Sequence, residues 1–209
     1  MIIKEAIDTS ALVWSPQTKV IKHKLIHKII NPPTMLSNLI SAAIRDVPNF
    51  PKEGILFKDI TPIFAQPQLC AQITEEFIQH CKTLKIDVIV GVESRGFFFG
   101  FHLAQALQIP FVPIRKAGKL PYDVVSEEYS LEYGTAKIEM HVDAITAGQN
   151  VLIHDDLLAT GGTAAAAARL IKRQGATISA FAFLVELEFL GGAAILKPEC
   201  ENIISLVKY

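Results

Sequence analysis

Short apolar runs typical of buried β-strands alternate with helical patterns along most of this chain, and this alternation most constrains its fold. The apolar runs lie at 87–92, 111–114, 151–154 and 178–184, and the helical patterns at 68–83, 97–107 and 163–174. Strands that alternate with helices form a mainly parallel sheet with helices on both faces. We therefore expect an α/β fold, with a mainly parallel twisted sheet flanked by helices.

The composition excludes several classes of protein. Of the 209 residues, 50% are hydrophobic and 20% are charged, which suits a chain with a sizeable core and not a disordered one. The formal net charge of −1 gives no overall basic field for nucleic acid. Cys70, Cys81 and Cys200 have neither the number nor the spacing of a disulfide framework or a metal site. We expect reduced thiols, no membrane span and a cytoplasmic location.

The first 34 residues differ from the rest of the chain. Lysines outnumber acidic residues there, and the segment ends in Asn-Pro-Pro-Thr, which interrupts helices. Helical spacing of apolar residues then runs from Met35 to Val47. We expect one domain at 35–209, with 1–34 as an N-terminal extension or the product of a mis-assigned start.

The stretch 151–164 carries the clearest chemical signal. An apolar strand leads into Asp155 and Asp156, and a turn with Gly161 and Gly162 follows before the next helix. Glycines let backbone N–H groups approach an anion, and a helix N-terminus adds donors that suit a phosphate. The paired carboxylates can accept hydrogen bonds from a sugar diol. Residues 91–98 have the glycine spacing of a P-loop but lack its Lys and Ser/Thr, and no GxGxxG occurs.

The segment 115–133 is long, polar and interrupted by Gly and Pro. A loop of that length in a compact domain is usually functional or mobile. Arg115, Lys116 and Lys119 give it a concentration of positive charge. We expect a functional loop there.

The stretch 151–164 resembles the phosphoribosyl-diphosphate-binding motif of the type I phosphoribosyltransferases, and the match is closest to members that act on adenine. The blocks that carry the resemblance occur in the family's order at 48–62, 93–97, 114–134 and 151–164. The resemblance implies the type I fold with a small hood or N-terminal helical part and a long catalytic lid loop. It also implies a pentosyltransferase that converts adenine and phosphoribosyl diphosphate into AMP and diphosphate, with Mg²⁺, as a homodimer.

The resemblance also assigns the residues that hold phosphoribosyl diphosphate. Asp155 and Asp156 would hold the ribose hydroxyls. The 5′-phosphate would lie in a cradle formed by Ala159, Thr160, Gly161, Gly162 and Thr163. A pyrophosphate loop would consist of Glu93, Ser94, Arg95 and Gly96. Arg95 suits that role, since a guanidinium grips phosphate oxygens bidentately.

The lid would bring Arg115, Lys116 and Lys119 to the diphosphate, with Tyr129 and Tyr133 packing the closed lid. Glu132 would exchange a proton with the purine, so that Glu132, Arg95 and Arg115 are the catalytic candidates. Mg²⁺ would be held mainly by substrate and water, with no direct ligand from the protein. The adenine-binding candidates are Leu56, Phe57, Lys58 and Leu187.

Two other functions remain open at this point. The first is phosphoribosyl transfer to another purine base, and the second is a non-catalytic regulator that senses phosphoribosyl diphosphate. His154 stands where the family usually has an apolar strand residue, so it is either a core histidine or a group that tunes the adjacent carboxylates. We expect structural roles for His102 and His141.

Overall fold

The computed structural model describes residues 33–131 and 134–209. Residues Leu39–Tyr209 form one compact unit. The second unit is described only for residues 33–38. The predicted extension 1–34 therefore lies almost wholly outside the described residues and stays a prediction.

The described residues form five α-helices and nine strands. The helices are α1 (Pro33–Ala43), α2 (Pro67–Cys81), α3 (Gly96–Leu107), α4 (Gly162–Arg173) and α5 (Gly192–Leu196). Short 3-10 helices occupy Thr61–Ala65 and Glu188–Leu190. The strands are β1 (Arg45–Pro48), β2 (Leu56–Asp59), β3 (Val88–Val92), β4 (Phe111–Lys116), β5 (Val124–Leu131), β6 (Gly134–His141), β7 (Asn150–Leu158), β8 (Thr177–Glu186) and β9 (Ile203–Lys208).

Seven of these strands form one sheet in the order β5-β6-β4-β3-β7-β8-β9. Strands β4, β3, β7, β8 and β9 are parallel, whereas β6 pairs antiparallel with β4 and β5 pairs antiparallel with β6. Strands β1 and β2 form a separate antiparallel pair. The predicted α/β fold with a mainly parallel sheet is confirmed.

Helices cover both faces of the central strands. One face carries Val90 and Ile153, which belong to the same buried cluster as the alanines of α4. Alanine side chains are small, so α4 lies close to the sheet. On the other face, the His154 ring meets Phe77 of α2 edge-on, with ring centroids 5.3 Å apart. The alternation of side chains along each strand produces these two layers.

The structure differs from the sequence expectation in two segments. The loop predicted at 115–133 contains strand β5, which pairs with β6 along its whole length. The helix predicted to reach Val47 ends at Ala43, and the following residues pair with β2, with Val47 opposite Phe57. In both places, pairing with a strand that comes later in the chain decided the local structure, and local patterns carry no signal for such pairing.

The cysteines are free thiols in the structure. Cys70 and Cys81 are buried, and Cys200 is partly buried. Burial raises the pKa of Cys81 to about 11. Within the described ranges, no helix has the length and apolar character needed to cross a bilayer.

Candidate active site

Three groups of predicted site residues meet at one edge of the sheet. Strands β4, β3 and β7 are neighbours and run parallel, so their carboxyl ends lie side by side. In open α/β sheets, ligands bind outside these ends. The segments that leave this edge contain Arg115, the loop at 93–95 and the acidic pair of β7. The tertiary structure thus brings together residues that lie about 60 positions apart in the chain.

The acidic pair belongs to a strand that is longer than the sequence suggested. Strand β7 continues through Leu158, so Asp155 and Asp156 point to opposite faces. Asp156 is buried, and the Nε of Arg95 donates to its Oδ2 at 2.5 Å. The N–H of Asp156 donates to Oδ1 of Asp155 at 2.8 Å. Burial, and then the charge of Asp156, raise the pKa of Asp155 well above its ordinary value.

The turn after β7 forms a cradle of backbone groups. Gly161 has φ +81°, a left-handed conformation that favours glycine. Helix α4 starts directly afterwards, and no side chain caps its N-terminus. The first N–H groups of the helix are therefore free to bind an anion. This geometry fits the phosphate role predicted for residues 159–163.

Sequence reasoning missed the support of this cradle. A Cβ at Gly161 would lie 2.7 Å from the carbonyl oxygen of Gly192, and a Cβ at Gly192 would overlap the carbonyl oxygen of Ala159. The start of α5 is thus packed against the cradle backbone. The pair Gly191-Gly192 shortly after a strand was the signal that could have pointed to it.

A carboxylate orders the basic segment at the end of β4. Oε2 of Glu93 accepts from Nε of Arg115 at 3.2 Å and from the N–H of Lys116 at 2.8 Å. Arg115 also donates through Nη1 to the carbonyl oxygen of Lys119 at 3.1 Å. The side chains of Lys116 and Lys119 are exposed. The loop at 93–95 and the basic segment are therefore joined into one charged wall of the site.

The β5–β6 hairpin reaches the cradle through one side chain. The hydroxyl of Tyr129 lies 3.0 Å from Oγ1 of Thr163, at hydrogen-bonding distance. Its ring also lies near Gly162, where an added Cβ would be 3.7 Å from Cδ2 of Tyr129. The predictions for Glu132 and Tyr133 concern residues outside those that the structure describes.

Two of the predicted adenine-binding residues lie on β2. Phe57 is half-buried, and the guanidinium carbon of Arg95 lies 5.3 Å from the centroid of its ring. Its neighbour Leu56 is 50% exposed. Arg95 therefore contacts both the acidic pair, through Asp156, and the predicted base-binding face.

Tyr209 links the other two adenine-binding candidates, Lys58 and Leu187. Nζ of Lys58 lies 4.0 Å from the centroid of the Tyr209 ring. The backbone of Tyr209 donates to the carbonyl oxygen of Glu186 and accepts from the N–H of Glu188, each at 2.9 Å. These two residues flank Leu187, whose own N–H donates to the carbonyl oxygen of Leu158 at 2.9 Å. Leu187 is thereby fixed beside the end of β7.

His154 belongs to the core. It is fully buried, and its ring lies edge-on to Phe77. Burial lowers its pKa to about 3, so the ring is neutral at physiological pH. As the strand neighbour of Asp155, it points to the opposite face of the sheet. A neutral ring there favours the core interpretation over a group that tunes the carboxylates by its charge.

Comparisons with known proteins agree with this site. The family model described as "Phosphoribosyl transferase domain" matches residues 59–193. An adenine phosphoribosyltransferase of Cytophaga hutchinsonii is 51% identical over 175 residues, which cover 84% of this chain and 97% of that protein. The crystal structure of adenine phosphoribosyltransferase from Rhodothermus marinus has a TM-score of 0.80 at 46% identity and covers 84% of this chain and 99% of that one.

A third comparison concerns a protein that was crystallised with ligands. The adenine phosphoribosyltransferase from Saccharomyces cerevisiae, complexed with D-2,5-dideoxy-2,5-imino-altritol 1,6-bisphosphate and adenine, has a TM-score of 0.78 at 44% identity. It covers 82% of this chain and 99% of that one. The matched domain defines the class as phosphoribosyltransferase, and the glycine turn between the acidic end of β7 and the uncapped start of α4 agrees with it. Within that class, the chain belongs to the adenine phosphoribosyltransferase family.

Proposed function

We propose that the chain transfers the 5-phosphoribosyl group of phosphoribosyl diphosphate to N9 of adenine, giving AMP and diphosphate. The observation that carries this proposal is the cradle at Gly161, which joins an uncapped helix N-terminus to the acidic end of β7. The helix N-terminus offers N–H donors for a 5′-phosphate, and the carboxylates beside it offer acceptors for a ribose diol. The identity of 51% with a relative over most of both chains supports adenine as the acceptor.

The cradle and the acidic pair hold the two ends of the ribose phosphate. The backbone N–H groups of residues 159–163 and the start of α4 would bind the 5′-phosphate. Asp155 and Asp156 would accept hydrogen bonds from the ribose hydroxyls. Arg95 already donates to Asp156, so it would fix the direction of that carboxylate.

The charged wall would hold the diphosphate. Arg95 and Arg115 can each donate two parallel hydrogen bonds to phosphate oxygens, and Lys116 and Lys119 add positive charge. As the bond between C1′ and the diphosphate oxygen breaks, its electron pair leaves with the diphosphate. Cations placed in advance beside that oxygen stabilise the developing charge.

Mg²⁺ would enter with phosphoribosyl diphosphate. The part of the chain that the structure describes contains no cluster of three or more His, Cys, Asp or Glu that could hold a metal. The edge does offer carboxylate oxygens, which Mg²⁺ accepts singly alongside substrate phosphates and water. These residues fit an ion carried mainly by the substrate, and the ion would supply further charge neutralisation of the diphosphate.

The hairpin would complete the site. Glu132 follows β5 directly in the chain, and we assign it as the acceptor of the N9 proton when the bond from N9 to C1′ forms. The ribosyl group is cationic during transfer and reacts with water, so the site must close before the bond breaks. Tyr129 supports this assignment, because it already joins the hairpin to Thr163 of the cradle.

Adenine would bind between β2 and the end of β8. Phe57 offers an aromatic face for a planar base, and Leu187 offers an apolar one. Backbone groups of Leu56 would meet the edge of the base, with Lys58 beside them. A carbonyl that accepts from the 6-amino group would disfavour 6-oxopurines, whose O6 is itself an acceptor.

A competition assay tests the reaction and the base together. The protein is mixed with phosphoribosyl diphosphate, Mg²⁺ and equal amounts of adenine, hypoxanthine, guanine and xanthine, and the nucleotides are separated. AMP should dominate, and Asp155→Asn should lose most turnover while the exposed Asp143→Asn keeps it. Another nucleotide would overturn the assignment of Leu56, Phe57, Lys58 and Leu187. No nucleotide from folded protein would favour the regulator instead.

We also propose a homodimer that forms through α3. Phe98 and Phe101 on this helix are 49% and 50% exposed, and Phe101 packs edge-on against Phe111 with ring centroids 5.8 Å apart. An exposed aromatic face of this kind is typical of an interface, and most oligomers join identical chains. Light scattering should give about twice 23.0 kDa, and Phe101→Lys should give the monomer mass. A monomeric wild-type protein would contradict the proposal.

We also propose where the protein acts and which residues form the catalytic domain. The reaction would take place in the cytoplasm and would be carried out by residues 35–209, with 1–34 as an appendage. Mass spectrometry of the natural protein determines whether 1–34 is present, because an intact Met1 terminus rules out a mis-assigned start.

A further inference from the structure

The inner face of β5 is joined to helix α4 at two points. Side chains of a strand alternate between its faces, so Glu127 and Tyr129 share one face and Glu128 lies on the other. Glu127 and Tyr129 both contact α4, whereas Glu128 is exposed. The face that carries Glu127 and Tyr129 therefore fastens the hairpin to the helix that starts at the phosphate cradle.

The first point of attachment is an ion-pair cluster. Oε1 of Glu127 accepts from Nε of Arg169 at 2.8 Å, and Oε2 lies 2.7 Å from Nη1 of Arg173. Arg173 also donates to the carbonyl oxygen of Ser126. The side chain of Glu127 is only 12% exposed, whereas those of Arg169 and Arg173 are 42% and 52% exposed. The carboxylate is thus covered by the two arginines, and we call these three residues the latch.

The second point of attachment lies two residues further along the strand. Tyr129 reaches Thr163, which belongs to the cradle itself. The latch and this contact lie on the same strand, so together they fix both the position and the direction of β5 relative to α4. The strand ends at Leu131, directly before Glu132. The attachment of β5 to α4 therefore determines how Tyr129 meets Thr163 of the cradle.

We propose that Glu127 is a positioning residue for the transfer reaction, because it holds strand β5, and with it Tyr129, against the 5′-phosphate cradle through Arg169 and Arg173. This inference rests on the proposed function. Glu127 lies in the middle of β5 and acts through the hairpin, without touching the substrate. Its loss should slow the chemical step and leave the cradle intact.

The latch can be weakened with little damage to the fold. Arg169 and Arg173 are partly exposed, so water can solvate them when the carboxylate is removed. The main consequence of Glu127→Gln is therefore a looser attachment of β5. Reaction rates depend steeply on such placement, since a small shift of a catalytic group costs a large factor in rate.

The test compares Glu127→Gln with Glu128→Gln, which makes the same chemical change on the exposed face of the same strand. The single-turnover rate of AMP formation should fall about tenfold or more in Glu127→Gln and stay within about twofold of wild type in Glu128→Gln. Affinity for phosphoribosyl diphosphate, measured by calorimetry without adenine, should change less than about threefold, because the cradle is untouched. Equal rates in the two variants would overturn the proposal.

A second comparison separates positioning from a general loss of stability. The double variant Arg169→Gln/Arg173→Gln should show the same rate defect, and adding Glu127→Gln to it should lower the rate little further, since the three groups form one network. Rate losses that simply multiply would refute the latch. If Glu127→Gln alone fails to fold, the rate of the double variant Arg169→Gln/Arg173→Gln still tests the latch, because a wild-type rate there would refute it.

The wild-type control distinguishes the two proposals. If wild-type protein forms no AMP, the proposed function fails. If the wild type forms AMP and Glu127→Gln does so at the same rate, the proposed function stands and the latch fails. A melting temperature measured for every variant identifies a rate loss that merely follows unfolding, and that outcome also counts against the latch.

Discussion

The substitution Gly161→Ala should damage both the stability of the fold and the binding of phosphoribosyl diphosphate. Two independent costs arise at this position. The backbone there has φ +81°, which a side chain disfavours. An added Cβ would also lie 2.7 Å from the carbonyl oxygen of Gly192, which is a backbone atom and cannot rotate away.

A matched control separates the two costs. Gly191 has φ +67°, also left-handed, but an added Cβ there meets nothing within 4 Å. Left-handed backbone costs a residue with a side chain about 1–2 kcal/mol, so Gly191→Ala should lose about that much free energy of unfolding. Forcing a methyl group into a packed place adds about 1–3 kcal/mol. Gly161→Ala should therefore lose about 2–5 kcal/mol.

Urea unfolding of both variants at one protein concentration measures these losses. For a chain of this size, each kcal/mol also lowers the melting temperature by about 2–4 °C. The KM for phosphoribosyl diphosphate should rise in Gly161→Ala, because relief of the clash displaces the cradle, and it should stay at the wild-type value in Gly191→Ala. Equal destabilisation of the two variants, or an unchanged KM in Gly161→Ala, would refute the reasoning.

Three further predictions concern titratable groups. Burial and Asp156 raise the pKa of Asp155, so the wild type loses stability as pH rises through that pKa. Asp155→Asn should therefore have a higher free energy of unfolding in urea than wild type at pH 8. This difference in free energy should shrink towards pH 4, and a constant difference would contradict the reasoning. The N–H of Thr61 lowers the pKa of Asp59, so Asp59→Asn should be less stable than wild type at neutral pH, with the difference disappearing as pH falls below about 4. For His154→Val, the pH–rate profile between pH 6 and 9 should match that of wild type, since the pKa of about 3 keeps the ring neutral, and a shifted limb would refute this assignment.

Local patterns were sufficient for several of the regular elements of the fold. The helix predicted at 97–107 is observed as Gly96–Leu107, and the strand predicted at 178–184 as Thr177–Glu186. These elements are rich in apolar residues with a clear period, and they are buried where they form. The stretch around Gly161 also predicted the observed turn between β7 and α4, because such a turn consists of consecutive residues.

Strand β5 could not be predicted in this way. Its residues include Ser126, Glu127 and Glu128, which read as a polar loop, and the strand depends on pairing with β6 and packing on α4. Propensity for strands depends strongly on such surroundings. The prediction of a long loop failed there for this reason, and the contact of Tyr129 with Thr163 became visible only in the structure.

The sequence by itself determined the alternation of strands and helices, the glycine turn before α4 and the family resemblance, because each depends on residues that are neighbours in the chain. Only the tertiary structure decided that Arg95 pairs with Asp156, that Gly192 supports the cradle and that Glu127 meets two arginines of α4. These contacts join residues far apart in sequence. They depend on the order of strands in the sheet and on the packing of helices against it, which no local pattern specifies.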